Sequence, residues 1–178
     1  MRRRSLFTVA AILGASLLAG GAAVAAKGPT GLQNFHASLK GYEEVPVVST
    51  PATGFLTIRI NQNAGTIDYE LNYENLSGSV TQSHIHAGQM GVAGGVSLWL
   101  CQTAASPAPA AVAAITPVCP TSGVVTGTLT AANVVGPAPQ LIVAGDFDEI
   151  VAAIRAGVAY GNVHSSAVPG GEIRGQLR

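Results

Sequence analysis

Hydrophobic and polar residues alternate along much of the chain after its first thirty positions. The clearest case is Thr53–Asn61 followed by Ile67–Tyr73, where apolar residues recur at every second position and Asn63-Ala64-Gly65-Thr66 supplies a turn. Alternation places successive side chains on opposite faces of a strand, so the two segments predict a β-hairpin. Further strands are predicted at 34–39, 80–86, 96–100, 124–129, 158–164 and 172–177.

One segment has helical periodicity instead. Asp146 can cap it, apolar residues follow at helical spacing, and Gly157 ends it, so a short amphipathic helix is predicted near 148–156. Short strands separated by turn signals, with a single helix, predict an all-β fold, an antiparallel Greek-key β-sandwich. Gly127 interrupts one strand and indicates either a bulge or a close packing contact.

The first 26 residues have the pattern of a secretory signal peptide. Arg2-Arg3-Arg4 is a basic start, 6–18 is apolar, and 23–26 offers small residues for cleavage, an arrangement typical of bacteria. Both general secretion and twin-arginine export fit the basic start. We therefore predict a linker at 27–32, one domain at 33–178, a secreted or periplasmic location, and no membrane anchor after cleavage.

Charge limits the partners of the predicted mature chain. Without the three leader arginines, six basic residues face nine acidic ones, a formal charge of −3. Such a chain lacks the basic surface that nucleic acids or anionic membranes require, so nucleic acid is excluded as a partner. An unknown extracellular protein or a cell-surface ligand is the expected partner.

The two cysteines enclose a segment rich in proline and alanine. In an oxidising compartment an isolated pair is most simply a disulfide, so Cys101 and Cys119 are predicted to close the insertion at 101–119. Neither cysteine lies in a Cys-x-x-Cys motif or beside a histidine, which argues against a redox or metal role.

Three histidines form the candidate site. His84 and His86 are two residues apart on a predicted strand and share a face, and His164 ends another predicted strand. Three imidazoles suit Cu²⁺ or Zn²⁺, with Glu172 as an oxygen ligand or an outer hydrogen-bond acceptor. Alternatively, the histidines only brace the glycine-rich turn after Gly88 through hydrogen bonds. His36 is expected to be an exposed strand residue.

The remaining notable side chains are predicted to be structural. Glu172 and Arg174 are two apart and share a face, which favours a salt link or hydrogen bonds to neighbouring strands. Trp99 and Tyr160 are interpreted as core aromatics.

Several separated motifs resemble one family. They are Leu39-x-Gly41-x-Glu43-Glu44-Val45-Pro46, His84-Ile85-His86-x-Gly88, Gly94-Gly95-Val96-x-Leu98, Tyr160-x-Asn162-Val163-His164-Ser165 and Pro169-Gly170-Gly171-Glu172-Ile173-Arg174-Gly175-Gln176. In this order they resemble the CHRD domain, the module repeated in chordin and found alone in many secreted bacterial proteins. The resemblance begins near Phe35, is broken by the 101–119 insertion, and implies a β-sandwich without an assigned biochemical role in bacteria.

A fainter similarity, through His-x-His on a strand and a later histidine, is to copper–zinc superoxide dismutases. The chain lacks their bridging histidine, their zinc loop and their arginine loop. The similarity implies a superoxide-dismutase-like sandwich, and an immunoglobulin-like sandwich is the alternative within the predicted fold class. It also implies a metal site rather than the enzyme activity.

Three functions therefore stay open: a binding or interaction module without catalysis, a protein that binds copper or zinc, and a metal-dependent redox enzyme. We expect the binding or interaction module, which requires no cofactor.

Overall fold

The computed structural model describes residues 31–178, so the predicted signal peptide and residues 27–30 of the linker lie outside it. Eight strands and two α-helices make up this part of the chain. The strands are β1 (Leu32–Lys40), β2 (Thr53–Asn61), β3 (Thr66–Glu74), β4 (Val80–Ala87), β5 (Gly95–Cys101), β6 (Gly123–Leu129), β7 (Ala159–Ser165) and β8 (Ile173–Gln176). The helices are α1 (Ala110–Ala113) and α2 (Phe147–Arg155), and three short 3-10 turns lie at 41–43, 131–133 and 138–140.

The strands form one antiparallel sheet in the order β5-β4-β7-β8-β1-β2-β3-β6. The junction between its two halves is narrow: Lys40 of β1 pairs with Arg174 of β8, and His36 exchanges backbone hydrogen bonds with Arg178. The two halves of the sheet pack face to face. Tyr69 of β3 in one half donates a hydrogen bond to the Leu100 carbonyl of β5 in the other, at 2.6 Å. The all-β antiparallel prediction is confirmed; the two layers expected of a sandwich are halves of one sheet.

A single large apolar cluster lies between the two halves. Its members come from every strand and from α2, for example Leu56 and Ile58 of β2 with Ile85 of β4 and Leu98 of β5, all fully buried. Burying this much aliphatic surface is the main stabilising contribution to such a fold. The alternation in β2 and β3 is what supplies one complete wall of this core.

Gly127 is a close packing contact and not a bulge. The β3–β6 register runs without a shift from Tyr73–Gly123 to Ile67–Leu129, so there is no bulge at this glycine. A Cβ atom at Gly127 would lie 2.7 Å from the ring of Tyr69. The absent side chain makes room for the aromatic ring that spans the core.

The insertion is ordered by a contact that the sequence interpretation missed. Cys101 and Cys119 are bonded, as predicted. The prediction of a single helix near 148–156 is incomplete, because α1 forms inside the insertion as well. Val112 of α1 is buried against Ala108 and Trp99 in a small second cluster. Ala108 and Val112, which lie outside the strands, therefore pack the insertion onto Trp99 of β5.

Within residues 31–178, no helix has both the length and the apolar character needed to cross a membrane.

Candidate metal centre

The three histidines lie on the face of β4 and β7 that points away from the main core. Ile85 points into the core, so His84 and His86 on either side of it project outward. β4 and β7 pair directly, with His84 opposite Asn162 and Gln82 opposite His164. Antiparallel pairing of β4 with β7 therefore brings His84 and His86 next to His164, which lies 80 residues after His84 in the chain, on one face of the sheet.

The rings are close enough to share one ion. Ring centroids are 5.3 Å apart for His84 and His86, 4.9 Å for His84 and His164, and 6.4 Å for His86 and His164. One nitrogen from each ring lies within 4.8 Å of the others. Two nitrogens bound tetrahedrally to zinc at about 2.05 Å are roughly 3.3 Å apart. The 3.2 Å between His84 Nδ1 and His164 Nε2 already matches that spacing.

Backbone carbonyls orient two of the rings. His86 Nδ1 lies 3.0 Å from the Gly94 carbonyl and His164 Nδ1 lies 2.9 Å from the Pro169 carbonyl. A carbonyl only accepts, so in both neutral rings the proton is on Nδ1 and the lone pair is on Nε2. This outer hydrogen bond is how metal-binding histidines are usually held.

Two ring nitrogens are left without any hydrogen-bond partner. His84 Nε2 and His86 Nε2 are both buried and unpaired. Buried polar atoms are nearly always satisfied, so an orphaned pair in one cluster needs an explanation. The bracing hypothesis accounts for the carbonyl contacts but leaves these two atoms unexplained.

All three rings are uncharged at neutral pH. Burial, together with smaller effects of the adjacent His164 and His86 rings, lowers the pKa of His84 to about 2. Burial likewise lowers the pKa of His86 to about 4, although the Gly94 hydrogen bond opposes this. Burial also lowers the pKa of His164. Neutral imidazole is the form that binds metal ions.

Trp99 and Tyr160 are buried aromatics, as interpreted, and both also pack against the histidines of this site. The Trp99 ring lies 4.2 Å from the His84 ring at 78°, and Tyr160 stacks nearly parallel on His86 at 4.7 Å. β5 shifts register against β4 on both sides of the His84-Ile85 pair, which places Trp99 opposite His84. Bulges of this kind commonly re-aim side chains at functional sites.

Arg174 and Glu172 do not pair with each other. The Arg174 guanidinium lies 3.4 Å from the centre of the Tyr160 ring and donates to the carbonyls of Gln89 and Val92 at 3.1 and 2.8 Å. It thus fixes the turn that carries the Gly94 carbonyl. The expected salt link to Glu172 is absent, and the hydrogen-bonding alternative is what the structure shows.

Glu172 is committed to other partners. Its carboxylate accepts from Thr50 Oγ1 and the Ser77 amide, both at 2.7 Å, and from Ser165 Oγ. Burial raises its pKa, but the hydrogen bonds from Ser165, Thr50 and Ser77 outweigh burial and hold the pKa below its usual value. The carboxylate braces three segments, and the three-histidine group of the described residues does not include it.

Glu44 is a buried acid beside this patch that sequence reasoning did not single out. It accepts a hydrogen bond from Asn162 Nδ2, and Asn162 lies opposite both His84 and Arg174 in the register. Burial raises the pKa of Glu44 to about 7, against the opposing effects of Arg174 and Asn162. Its only sequence signal was its place in the Glu43-Glu44-Val45-Pro46 motif.

His36 lies apart from the cluster. It is exposed on β1, where its ring stacks on Phe55 at 5.8 Å and contacts the Thr57 hydroxyl.

A family model for the CHRD domain matches residues 35–177. The chain belongs to the CHRD domain family. The match covers both the strands that carry the histidines and the segments that carry Glu44 and Arg174. No curated protein and no solved structure matched the chain.

Within this CHRD domain the 101–119 insertion adds to the site. The Trp99 ring contacts the His84 ring and also packs against Ala108 and Val112 of the insertion. The disulfide closes the segment that provides this cover.

Proposed function

We propose that this CHRD domain is a binding module without catalysis and that its ligand is one copper or zinc ion, held by His84, His86 and His164. The observation that carries the proposal is a three-histidine cluster in which His84 Nδ1 and His164 Nε2 lie 3.2 Å apart and His86 Nε2 is buried without a partner. A buried lone pair without a donor is costly, and an ion shared by the three rings removes that cost at His86 Nε2.

The surroundings support binding rather than turnover. The three histidines are only 2, 8 and 6% exposed, so a substrate has little access to an ion held between them. Redox chemistry of the dismutase kind needs that access. Redox catalysis is the second hypothesis, and a dismutase assay of the metal-loaded protein distinguishes it from metal binding alone.

We further propose that the protein works outside the cytoplasm. The Cys101–Cys119 disulfide supports this, because such bonds persist in oxidising compartments. The signal-peptide pattern of residues 1–26 supports it as well.

The test is metal binding by protein first stripped with a chelator. Titration calorimetry with Zn²⁺ and with Cu²⁺ is expected to give one ion per chain. At a free ion concentration a hundred times the dissociation constant, the folded state gains about 2.7 kcal/mol, which raises the melting temperature by roughly 5–10 °C.

His86→Phe and His164→Phe should abolish binding. His36→Gln removes the fourth described histidine at an exposed position and serves as the matched control, with binding unchanged. If no ion raises the melting temperature of the wild-type protein, the histidines only brace the turn and the proposal is wrong.

A further inference from the structure

The histidine cluster contains no negative ligand. Its three members are neutral imidazoles, and no carboxylate of the described chain belongs to the group. The nearest buried acids are engaged elsewhere, Glu172 with Thr50, Ser77 and Ser165, and Glu44 with Asn162. A dication bound here would keep its full charge in a buried site.

A fixed positive charge lies behind one ligand. β7 is between β4 and β8 in the sheet, so Tyr160 stands between His86 and Arg174. Tyr160 stacks on His86 at 4.7 Å with an interplanar angle of 4°, and the Arg174 guanidinium is 3.4 Å from the centre of the same ring. Arg174 is 3% exposed, so water screens its charge poorly. Glu44 offsets this charge incompletely, since burial raises the pKa of Glu44 to about 7.

We infer that the site selects monovalent copper, Cu⁺, over Zn²⁺ and Cu²⁺, and that Arg174 is a selectivity-determining residue. The inference rests on the proposed function. The cost of burying an ion grows with the square of its charge, so a dication costs about four times as much as a monocation of the same size. Imidazole suits copper, whereas Zn²⁺ held by three histidines has to complete its tetrahedron with a water, to which these buried side chains give little access.

Arg174 adds to this preference through repulsion. The stacked geometry places the guanidinium on the order of 10 Å from an ion bound at His86, and an effective dielectric constant of about 20 then penalises each extra unit of ion charge by roughly tenfold in affinity. Zn²⁺ carries one more unit than Cu⁺. Removing the charge at position 174 should therefore raise the affinity for Zn²⁺ relative to Cu⁺ by about tenfold.

The experiment is a pair of competition titrations on the full chain. Cu⁺ affinity is measured without oxygen against a chromophoric Cu⁺ chelator, and Zn²⁺ affinity against a chromophoric Zn²⁺ chelator. Wild-type protein is expected to bind Cu⁺ at least tenfold more tightly than Zn²⁺. Arg174→Gln should shift the ratio of the two affinities about tenfold toward Zn²⁺, and Arg174→Lys, which keeps the charge, should not.

Two further variants keep the test informative if Arg174→Gln does not fold. Glu44→Gln removes a negative charge near Arg174 and retains an acceptor for Asn162, so it should shift the ratio toward Cu⁺. Arg59→Gln removes an exposed arginine that pairs with Asp68 and should leave the ratio unchanged.

The outcomes separate the inference from the proposed function. If wild-type protein binds Zn²⁺ or Cu²⁺ more tightly than Cu⁺, the inference is overturned while metal binding stands. If Arg174→Gln folds and keeps the wild-type ratio, the role of Arg174 is overturned. If wild-type protein binds none of the three ions, the proposed function and the inference fail together.

Discussion

Metal-free protein should lose stability as the pH falls from 7 to 5. A histidine with a lower pKa in the folded than in the unfolded protein takes up a proton on unfolding. Unfolding therefore becomes easier below the unfolded value of about 6.5. His84, His86 and His164 all have lowered pKa values because they are buried. Their stabilisation is complete above about pH 6.5 and is lost as the pH falls toward the folded values.

Glu44 acts in the opposite sense and has to be included. Its pKa rises from 4.5 to about 7 on folding, so the folded protein protonates Glu44 as the pH falls below about 7, and this stabilises the protein as the pH falls toward 4.5. For His86 the change from 6.5 to about 4 corresponds to about 3 kcal/mol. The Glu44 change is of similar size and opposite sign, so His84 and His164 remain. The proton that His84 takes up on unfolding gives a slope of about 1.3 kcal/mol per pH unit near pH 5.5, and His164 adds to it in the same direction.

Urea unfolding followed by circular dichroism, with a chelator present, measures this slope. With an m-value of about 2 kcal/mol/M, the midpoint should fall by at least about 0.6 M urea per pH unit. Glu44→Gln should steepen the slope by about 1.3 kcal/mol per pH unit, and His86→Phe should make it shallower by the same amount. A midpoint that stays constant between pH 7 and 5 in all three proteins would refute the reasoning.

Two further predictions concern the scaffold. Glu172→Ala leaves the donors of Thr50, Ser77 and Ser165 without their acceptor and should cost about 3 kcal/mol or more in urea unfolding, whereas a cost below about 1 kcal/mol would show that water replaces the carboxylate. Gly127→Ala forces a methyl group against Tyr69 and should cost about 1–3 kcal/mol by the same assay. Gly170→Ala, in open space, is the control and should change stability by less than about 0.5 kcal/mol; equal effects of the two alanines would contradict the packing contact.

Strand alternation predicted most of the fold, because one face of each strand is buried in a common core. The predicted bounds of β2 match the structure, and the other strands differ by one to three residues at their ends. The same rule placed His84 and His86 on one face. It says nothing about what covers that face, and the outer surface of β4 and β7 is buried under turns rather than exposed to water.

The missed parts of the site are long-range contacts. Trp99 and Tyr160 look like core residues because aromatic residues in strands usually are, yet they pack on histidines on the outer face. Arg174 and Glu172 are near neighbours in sequence, and their partners come from segments around positions 90, 50 and 77. Local spacing cannot specify contacts with turns that fold back from elsewhere in the chain.

The separation of the ligands along the chain determines when the site comes into existence. During synthesis His84 and His86 are added to the chain before His164, which lies 80 residues beyond His84. His164 contacts His84 only after β4 and β7 have paired. Closing so long a loop is a late event in folding. An unfolded chain therefore carries no formed site, and the first ions the finished site encounters are those of the place where folding ends. Availability at that place would decide the occupant as much as affinity does.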